Sequence, residues 1–300
     1  MSAMKSILVT GAGGQLARTF KQLSGQYPDY RWRFANKIEL DLSDEDQIAK
    51  KIADWAPEVV INCAAYTAVD DAEQNPELAY AVNSAGVKAL AEACEEQSAL
   101  FVHYSTDYVY HNDLNRPLTE EDPCQPKGVY ACSKWAGEQQ ALRFCSRTAV
   151  LRTSWVFSPY GKNFVKTMLR LSQKMERLTV VDDQIGAPTA TDVIVQATMK
   201  LIERFFENGK KEVHEIYNLS NSGVASWYDF ACAVMELAGK DVKVVPIPGK
   251  DFPQAAPRPH YSLMSMEKIK GILKEEPPHW RKSLEKCLTE LGEISKTQTN

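Results

Sequence analysis

Apolar runs of four to six residues alternate with longer amphipathic stretches through the first half of the chain. Residues 6–10 (Ser-Ile-Leu-Val-Thr) are a β-rich run that ends in glycines and then turns helical. Residues 31–34 (Arg-Trp-Arg-Phe) alternate polar and apolar, as a half-buried strand does. Ser43 and Asp46 have the spacing of a capping box, which predicts a helix running to Trp55. Residues 58–62 and 100–105 read as buried strands, with helical periodicity over 77–97 between them. A helix over 128–144 and a strand over 148–153 extend the series. Strands alternating with helices predict an α/β fold, a Rossmann-type doubly wound parallel sheet covered on both faces.

The pattern loosens after Trp155. Helices are expected over 163–173, 191–206 and 226–238, and strands over 215–219 and 242–245. A proline-rich loop (Pro246, Pro248, Pro253, Pro257, Pro259) follows, then a last helix from Trp280. The polar residues 295–300 predict a frayed end. Such sheets take ligands beyond their strand carboxyl ends. Residues 1–154, with 190–220, are therefore expected to form a ligand-binding Rossmann domain. Residues 155–189 and 221–300 would form a smaller, discontinuous C-terminal lobe that binds substrate.

Composition narrows the function. The chain has 300 residues, a net charge of -4 and no basic excess, which argues against a nucleic-acid or anionic-membrane partner. No apolar run approaches the roughly 20 residues of a membrane helix, and residues 1–5 lack a signal-peptide layout. The seven cysteines are scattered without C-x-x-C, so neither disulfides nor a zinc site is expected. The five histidines lack ligand spacing, so no metal is expected. These features suggest a reduced, cytoplasmic protein.

The candidate chemistry begins at Gly11-x-x-Gly14-x-x-Ala17, between a strand and a helix. Gly11 suits the tight turn, and Gly14 lets the backbone approach a pyrophosphate at the helix N-terminus. The second strand ends in Asn36-Lys37 with no carboxylate for a ribose hydroxyl, which tilts the cofactor toward NADPH, with NADH as the alternative. Lys37 either faces a 2′-phosphate or is simply a solvated lysine. Asp41, followed by Leu42, can accept from an adenine amino group or be an ordinary loop residue. The small residues Cys63, Ala64 and Ala65 allow close approach of a flat ligand, and equally suit tight packing. Tyr130 and Lys134 lie about one helical turn apart on one face, downstream of Ser105-Thr106. A phenol of pKa near 10 with an ammonium about 4 Å away, at an effective dielectric near 20, gains about 4 kcal/mol, or roughly 3 pKa units. Lys134 is thus expected to bring Tyr130 toward neutrality. Arg258, in the proline-rich loop, is either structural or a bidentate ligand for a nucleotide diphosphate.

These motifs resemble the extended short-chain dehydrogenase/reductases. The closer resemblance is to the dTDP-4-dehydrorhamnose reductase family. It rests on Thr10-Gly11-Ala12-x-Gly14-Gln15-Leu16, Tyr66-Thr67-Ala68-Val69-Asp70-x-Ala72-Glu73 and Ser105-Thr106-Asp107-Tyr108-Val109-Tyr110. It continues in Arg152-Thr153-Ser154-Trp155-Val156-Phe157, Asn163-Phe164-Val165, Asp183-Gln184-x-Gly186-x-Pro188-Thr189 and Arg258-Pro259. The resemblance implies reduction of a nucleotide-sugar ketone by NAD(P)H. Thr106 would orient the carbonyl, Tyr130 give the proton, and Lys134 hold the nicotinamide ribose and lower the Tyr130 pKa. Gln15, Leu16 and Tyr66 would join the cofactor site. Thr106 and Asp107 would meet the sugar, and Trp155 would pack on the sugar nucleotide. The chain departs from the family at Ala17 and Ala131, where glycine is usual, and both keep a small side chain. The resemblance admits a homodimer. Two alternatives stay open: another nucleotide-sugar reductase or epimerase, and a non-catalytic regulatory subunit like that of methionine adenosyltransferase. An Asp107-Tyr108 pair in place of Asp-Glu argues against a dehydratase.

Overall fold

The first apolar run becomes β1 (Lys5–Val9), followed by α1 (Gln15–Leu23), in the computed structural model, which describes residues 4–209 and 213–294. Next come β2 (Tyr30–Phe34), α2 (Glu45–Trp55) and β3 (Val59–Asn62). Two short helices, α3 (Val69–Ala72) and α4 (Pro76–Tyr80), lead through a π-turn at Ala81–Ala85 into α5 (Gly86–Glu96). β4 (Leu100–Thr106), α6 (Val129–Phe144) and β5 (Thr148–Thr153) follow. The later chain forms β6 (Val156–Phe157), α7 (Phe164–Ser172), β7 (Arg177–Val181), β8 (Ile185–Gly186), β9 (Thr189–Ala190) and α8 (Thr191–Glu207). It ends with β10 (His214–Leu219), β11 (Ala225–Ser226), α9 (Trp227–Leu237), β12 (Lys243–Ile247), α10 (Glu267–Leu273) and α11 (Trp280–Glu290).

Six strands pair in the order β10-β5-β4-β3-β1-β2, with every neighbour parallel. Parallel neighbours require crossovers, and the crossover helices cover both faces. Every residue of β3, β4 and β5 is accordingly buried. Successive side chains point to opposite faces. Ile7 and Val9 pack with Phe20, Ile202 and Phe205 of α1 and α8, whereas Leu8 packs with Ile48, Ile52 and Leu90 of α2 and α5. The strand order reverses between β1 and β3, the switch point above which open sheets bind ligands. This is the Rossmann-type fold expected from the alternating pattern.

A second core gathers Phe157, Leu169, Phe230, Val234, Trp280 and Leu284 from β6, α7, α9 and α11. Small two-stranded pairs surround it: β7 with β12, β8 with β11, and β6 with β9. Part of the 221–300 segment returns to the first core, because Met266, Ile269 and Leu273 pack there.

Three local expectations change. The α2 cap is Asp44, whose carboxylate accepts from Gln47 N at 3.0 Å; the Ser43 hydroxyl instead donates to Asp41 at 2.7 Å. The 77–97 stretch is broken by the π-turn, where a Cβ on Gly137 would overlap the Asn83 carbonyl. The strand β7 and the helices α3 and α10 were not foreseen. The expected frayed end at 295–300 lies outside the described residues. Among the described residues, no helix is long and apolar enough to cross a membrane.

Candidate active site

The turns after β1, β2 and β3 converge on an open cleft of about 590 Å³ at the switch point. Gly11, Gly14, Lys37, Asp41, Leu42, Cys63, Ala64, Ala65 and Tyr66 all line it. Gly11 has φ +64°, and a Cβ there would lie 2.8 Å from the Ala64 backbone, so this crossing requires glycine. Gly14 caps α1 without a side-chain bond, which leaves the amides of Gln15 and Leu16 among the unsatisfied donors of that helix end. The Gln15 side chain turns away. It donates to the Val156 carbonyl at 3.2 Å and accepts from Ser158 and Asn163, tying α1 to the second core. The Leu16 side chain packs against the first core. Both residues therefore offer the cleft their backbone only.

At the rim, Lys37 Nζ stands 3.7 Å from Asp41 Oδ2 and is largely exposed. Burial works to raise the Asp41 pKa, but hydrogen bonds from Ser43 and the Lys37 ammonium outweigh it and hold the carboxyl below its usual range. Leu42 is buried, and its carbonyl packs against Gly86. Burial raises the Cys63 thiol well above its usual value, so it stays neutral. Tyr66 is fixed by Asn83, which accepts from Tyr66 N at 2.8 Å and donates to its carbonyl at 3.0 Å. The Tyr66 hydroxyl donates to Asp71.

The second cluster forms where β4 meets α6. β4 delivers Ser105 and Thr106, with Asp107 directly after, while the first two turns of α6 carry Tyr130 and Lys134. Gly128 enters α6 at φ +81°, and Val129 N donates to Glu73 Oε1 at 2.7 Å, so the end of α3 caps this helix. The Thr106 hydroxyl donates to Asp107 Oδ1 at 3.1 Å and stands near enough to the Tyr130 phenol to work against the rise of its pKa. Lys134 is buried; its Nζ donates to the Tyr104 carbonyl at 2.6 Å. Thr106, Tyr130 and Lys134 thus meet at the carboxyl end of β4.

Their protonation differs from the expectation. Burial pushes Tyr130 up to about 12, with Thr106 opposing and Asp107 adding to the rise. Lys134 does not bring the phenol toward neutrality, because its ammonium is engaged by the Tyr104 carbonyl and the phenol is desolvated. Burial also lowers Lys134 to about 8, against the pull of Glu138. Asp107 is raised to about 6 by burial, with Ser262 and Thr106 opposing, and its Oδ2 has no hydrogen-bond partner among the described residues.

Two expected substrate residues are already engaged. Trp155, at φ +48°, stacks on Trp227 with ring centroids 3.7 Å apart and planes 7° apart. One indole face is therefore covered, so Trp155 is not the free platform expected. The Arg258 guanidinium bonds Asp70 twice, at 3.0 and 2.7 Å. Asp70 also accepts from the Ala255 and Ala256 amides, each at 3.0 Å, and Arg258 holds its carboxyl down to about 2.

Residues 4–293 match the family model described as the RmlD substrate binding domain. The chain belongs to the RmlD family. It is 36% identical over 293 residues to the spore coat polysaccharide biosynthesis protein SpsK of Bacillus subtilis, covering 96% of this chain and 98% of that one. It is 39% identical over 281 residues to a dTDP-4-dehydrorhamnose reductase of Sinorhizobium fredii, covering 92% and 94%. A dTDP-4-dehydrorhamnose reductase structure from Bacillus anthracis, in complex with NADP, superposes with a TM-score of 0.88 at 34% identity, covering 95% and 99%. The resemblance drawn from the motifs holds.

Several site residues of this RmlD-family chain were not singled out from sequence. Asp70 and Glu73 stood in a quoted motif without a role. Asn62, at the end of β3, stood beside the small-residue run without a role of its own; His103, inside β4, was noted only as lacking metal-ligand spacing; and Trp227 carried no signal beyond its type. Among the described residues, no group of three or more His, Cys, Asp or Glu side chains is arranged to hold a metal.

Proposed function

We propose that this protein is a dTDP-4-dehydrorhamnose reductase. It reduces the C4 ketone of dTDP-4-dehydro-L-rhamnose to dTDP-L-rhamnose, the last step in making that sugar donor, and prefers NADPH to NADH. The observation that carries the reading is the meeting of Thr106, Tyr130 and Lys134 at the end of β4, on the sheet whose switch-point cleft lies at the ends of β1 and β3. The cleft of about 590 Å³ suits a dinucleotide, since the glycine turn leaves its floor free of side chains and α1 presents open amides at its edge. The NADP complex of the Bacillus anthracis relative supports the choice of cofactor. Lys37 is the candidate contact for its 2′-phosphate, and Asp41 for the adenine.

When bound, the nicotinamide supplies the hydride. Thr106 orients the ketone oxygen by hydrogen bonding. Tyr130, raised to about 12, stays protonated through the physiological range and donates its phenolic proton to that oxygen as negative charge develops there. A permanently protonated donor suits reduction. Lys134 holds the ribose. The segments around the second core carry the sugar nucleotide, with the exposed part of Trp155 against the nucleotide and Arg258 on the diphosphate, and Asp107, directly after β4, meets the sugar. NADPH and NADH oxidation should be followed across several 4-keto nucleotide sugars. Turnover is expected with dTDP-4-dehydro-L-rhamnose, and faster with NADPH. No oxidation with any of them would overturn the proposal.

A further inference from the structure

Three linked hydrogen bonds fix the proton on a histidine that no catalytic role has absorbed. The Ala64 backbone N–H, which can only donate, points at Asn62 Oδ1 at 3.2 Å, and Thr10 Oγ1 donates to the same atom at 2.6 Å. Asn62 must therefore present its oxygen to them and its NH₂ to the other side. There Nδ2 meets His103 Nδ1 at 3.1 Å, so Nδ1 accepts. His103 is fully buried, and burial together with Lys134 lowers its pKa well below the usual value, so the ring is neutral. A neutral ring that accepts at Nδ1 carries its hydrogen on Nε2. Nε2 lies 3.5 Å from Lys134 Nζ.

An ammonium has three donors and no acceptor. The His103 N–H therefore faces a donor and cannot receive a proton from it. Lys134 has one firm acceptor on β4, the Tyr104 carbonyl, and finds no second on His103. We propose that His103 is a positioning residue: by presenting Nε2–H to Lys134 it denies the ammonium a second acceptor on β4 and directs its remaining protons to the ribose hydroxyls of the dinucleotide. The inference rests on the proposed role of Lys134. The titratable groups facing Nζ are His103 from β4, which is neutral, and Glu138 from α6 itself.

The test compares variants of the full-length protein by NADPH titration as a function of pH. His103→Gln puts a carbonyl oxygen near the Nε2 position, so the ammonium gains an acceptor on β4. NADPH affinity should fall about ten-fold or more at pH 7, and the pH at which binding weakens as Lys134 loses its proton should move up. His103→Asn keeps an acceptor for Asn62 and withdraws the opposing N–H without replacing it. It should bind NADPH within about three-fold of the unaltered protein, which separates donor chemistry from packing. Equal loss in both variants, or an unchanged pH dependence in His103→Gln, would overturn the inference. Lys134→Ala tests the underlying reading separately: if it binds NADPH normally, the role of Lys134 falls. If it loses NADPH while His103→Gln does not, the role of His103 alone falls.

Discussion

Removing the Tyr130 hydroxyl while keeping its ring, in Tyr130→Phe, should lower kcat by about 10²–10⁴ and leave NADPH affinity nearly intact. Near-normal turnover would exclude Tyr130 as the proton donor. Burial also makes Asp107 a stability sensor. Its folded pKa of about 6 lies above the unfolded value of about 4. The folded state then binds more protons between these values, so stability is fully present below about pH 4 and is lost as pH rises to about 6. Asp107→Asn should remove that decline and raise stability at pH 8 by up to about 3 kcal/mol. It should also weaken sugar-nucleotide binding. Denaturant melts at pH 4 and pH 8 check the sign, and an unchanged pH dependence would mean Asp107 is not the group responsible. At the cleft rim, Lys37→Glu should erase or reverse the NADPH preference, read as the ratio of kcat/KM values for the two cofactors. Lys37 also sits beside Asp41, so an unchanged ratio would leave it as that carboxylate's partner only.

α6 carries both Tyr130 and Lys134, and a buried ion pair sets its place on the sheet. Glu138, fully buried, receives Arg152 of β5 through Nε at 3.2 and 3.1 Å and through Nη2; Arg152 Nη1 then donates to Tyr110 at 2.8 Å. Tyr110 passes the chain to Asn218 of β10 at 2.7 Å. Deleting one partner strands a buried charge, so Glu138→Ala should cost about 3–5 kcal/mol in a denaturant titration. A cost below about 1 kcal/mol would show that Arg152 finds water or another acceptor. Long elements such as α8, β4 and β5 were legible in the sequence because an apolar period or an unbroken apolar run extends through many residues. The four-residue α3, the two-residue strands and the π-turn were not, since so few residues carry no period and tertiary contacts alone select them. The glycine turn and the Tyr130–Lys134 pair were legible because backbone conformation and helical spacing are local properties. The partners of Trp155, Arg258 and Lys134 come from distant segments, so neither the stacking on Trp227 nor the grip of Asp70 could be read from spacing. The Tyr130 pKa was misjudged for the same reason, as desolvation depends on everything packed around the phenol.

Across the whole molecule, Asp70 of α3 reaches the 255–258 segment over a sequence gap of more than 180 residues. Arg258→Ala should raise the sugar-nucleotide KM about 10- to 150-fold, the equivalent of a charge-assisted contact, and leave NADPH binding unchanged. Loss of NADPH affinity with intact sugar-nucleotide affinity would reverse the assignment of the two sides of the cleft. The path of the chain bears on engineering. It leaves the first core after β5, builds β6 to β9 around the second, and returns through α8 to place β10 beside β5. It departs again for α9 and comes back a last time at α10 before ending on α11. Neither core is therefore one contiguous stretch. A chimera made with a single crossover anywhere between 154 and 280 would join halves of two unrelated packings. Grafting the second core of another family member needs several junctions at once, with α8 and α10 kept from the host.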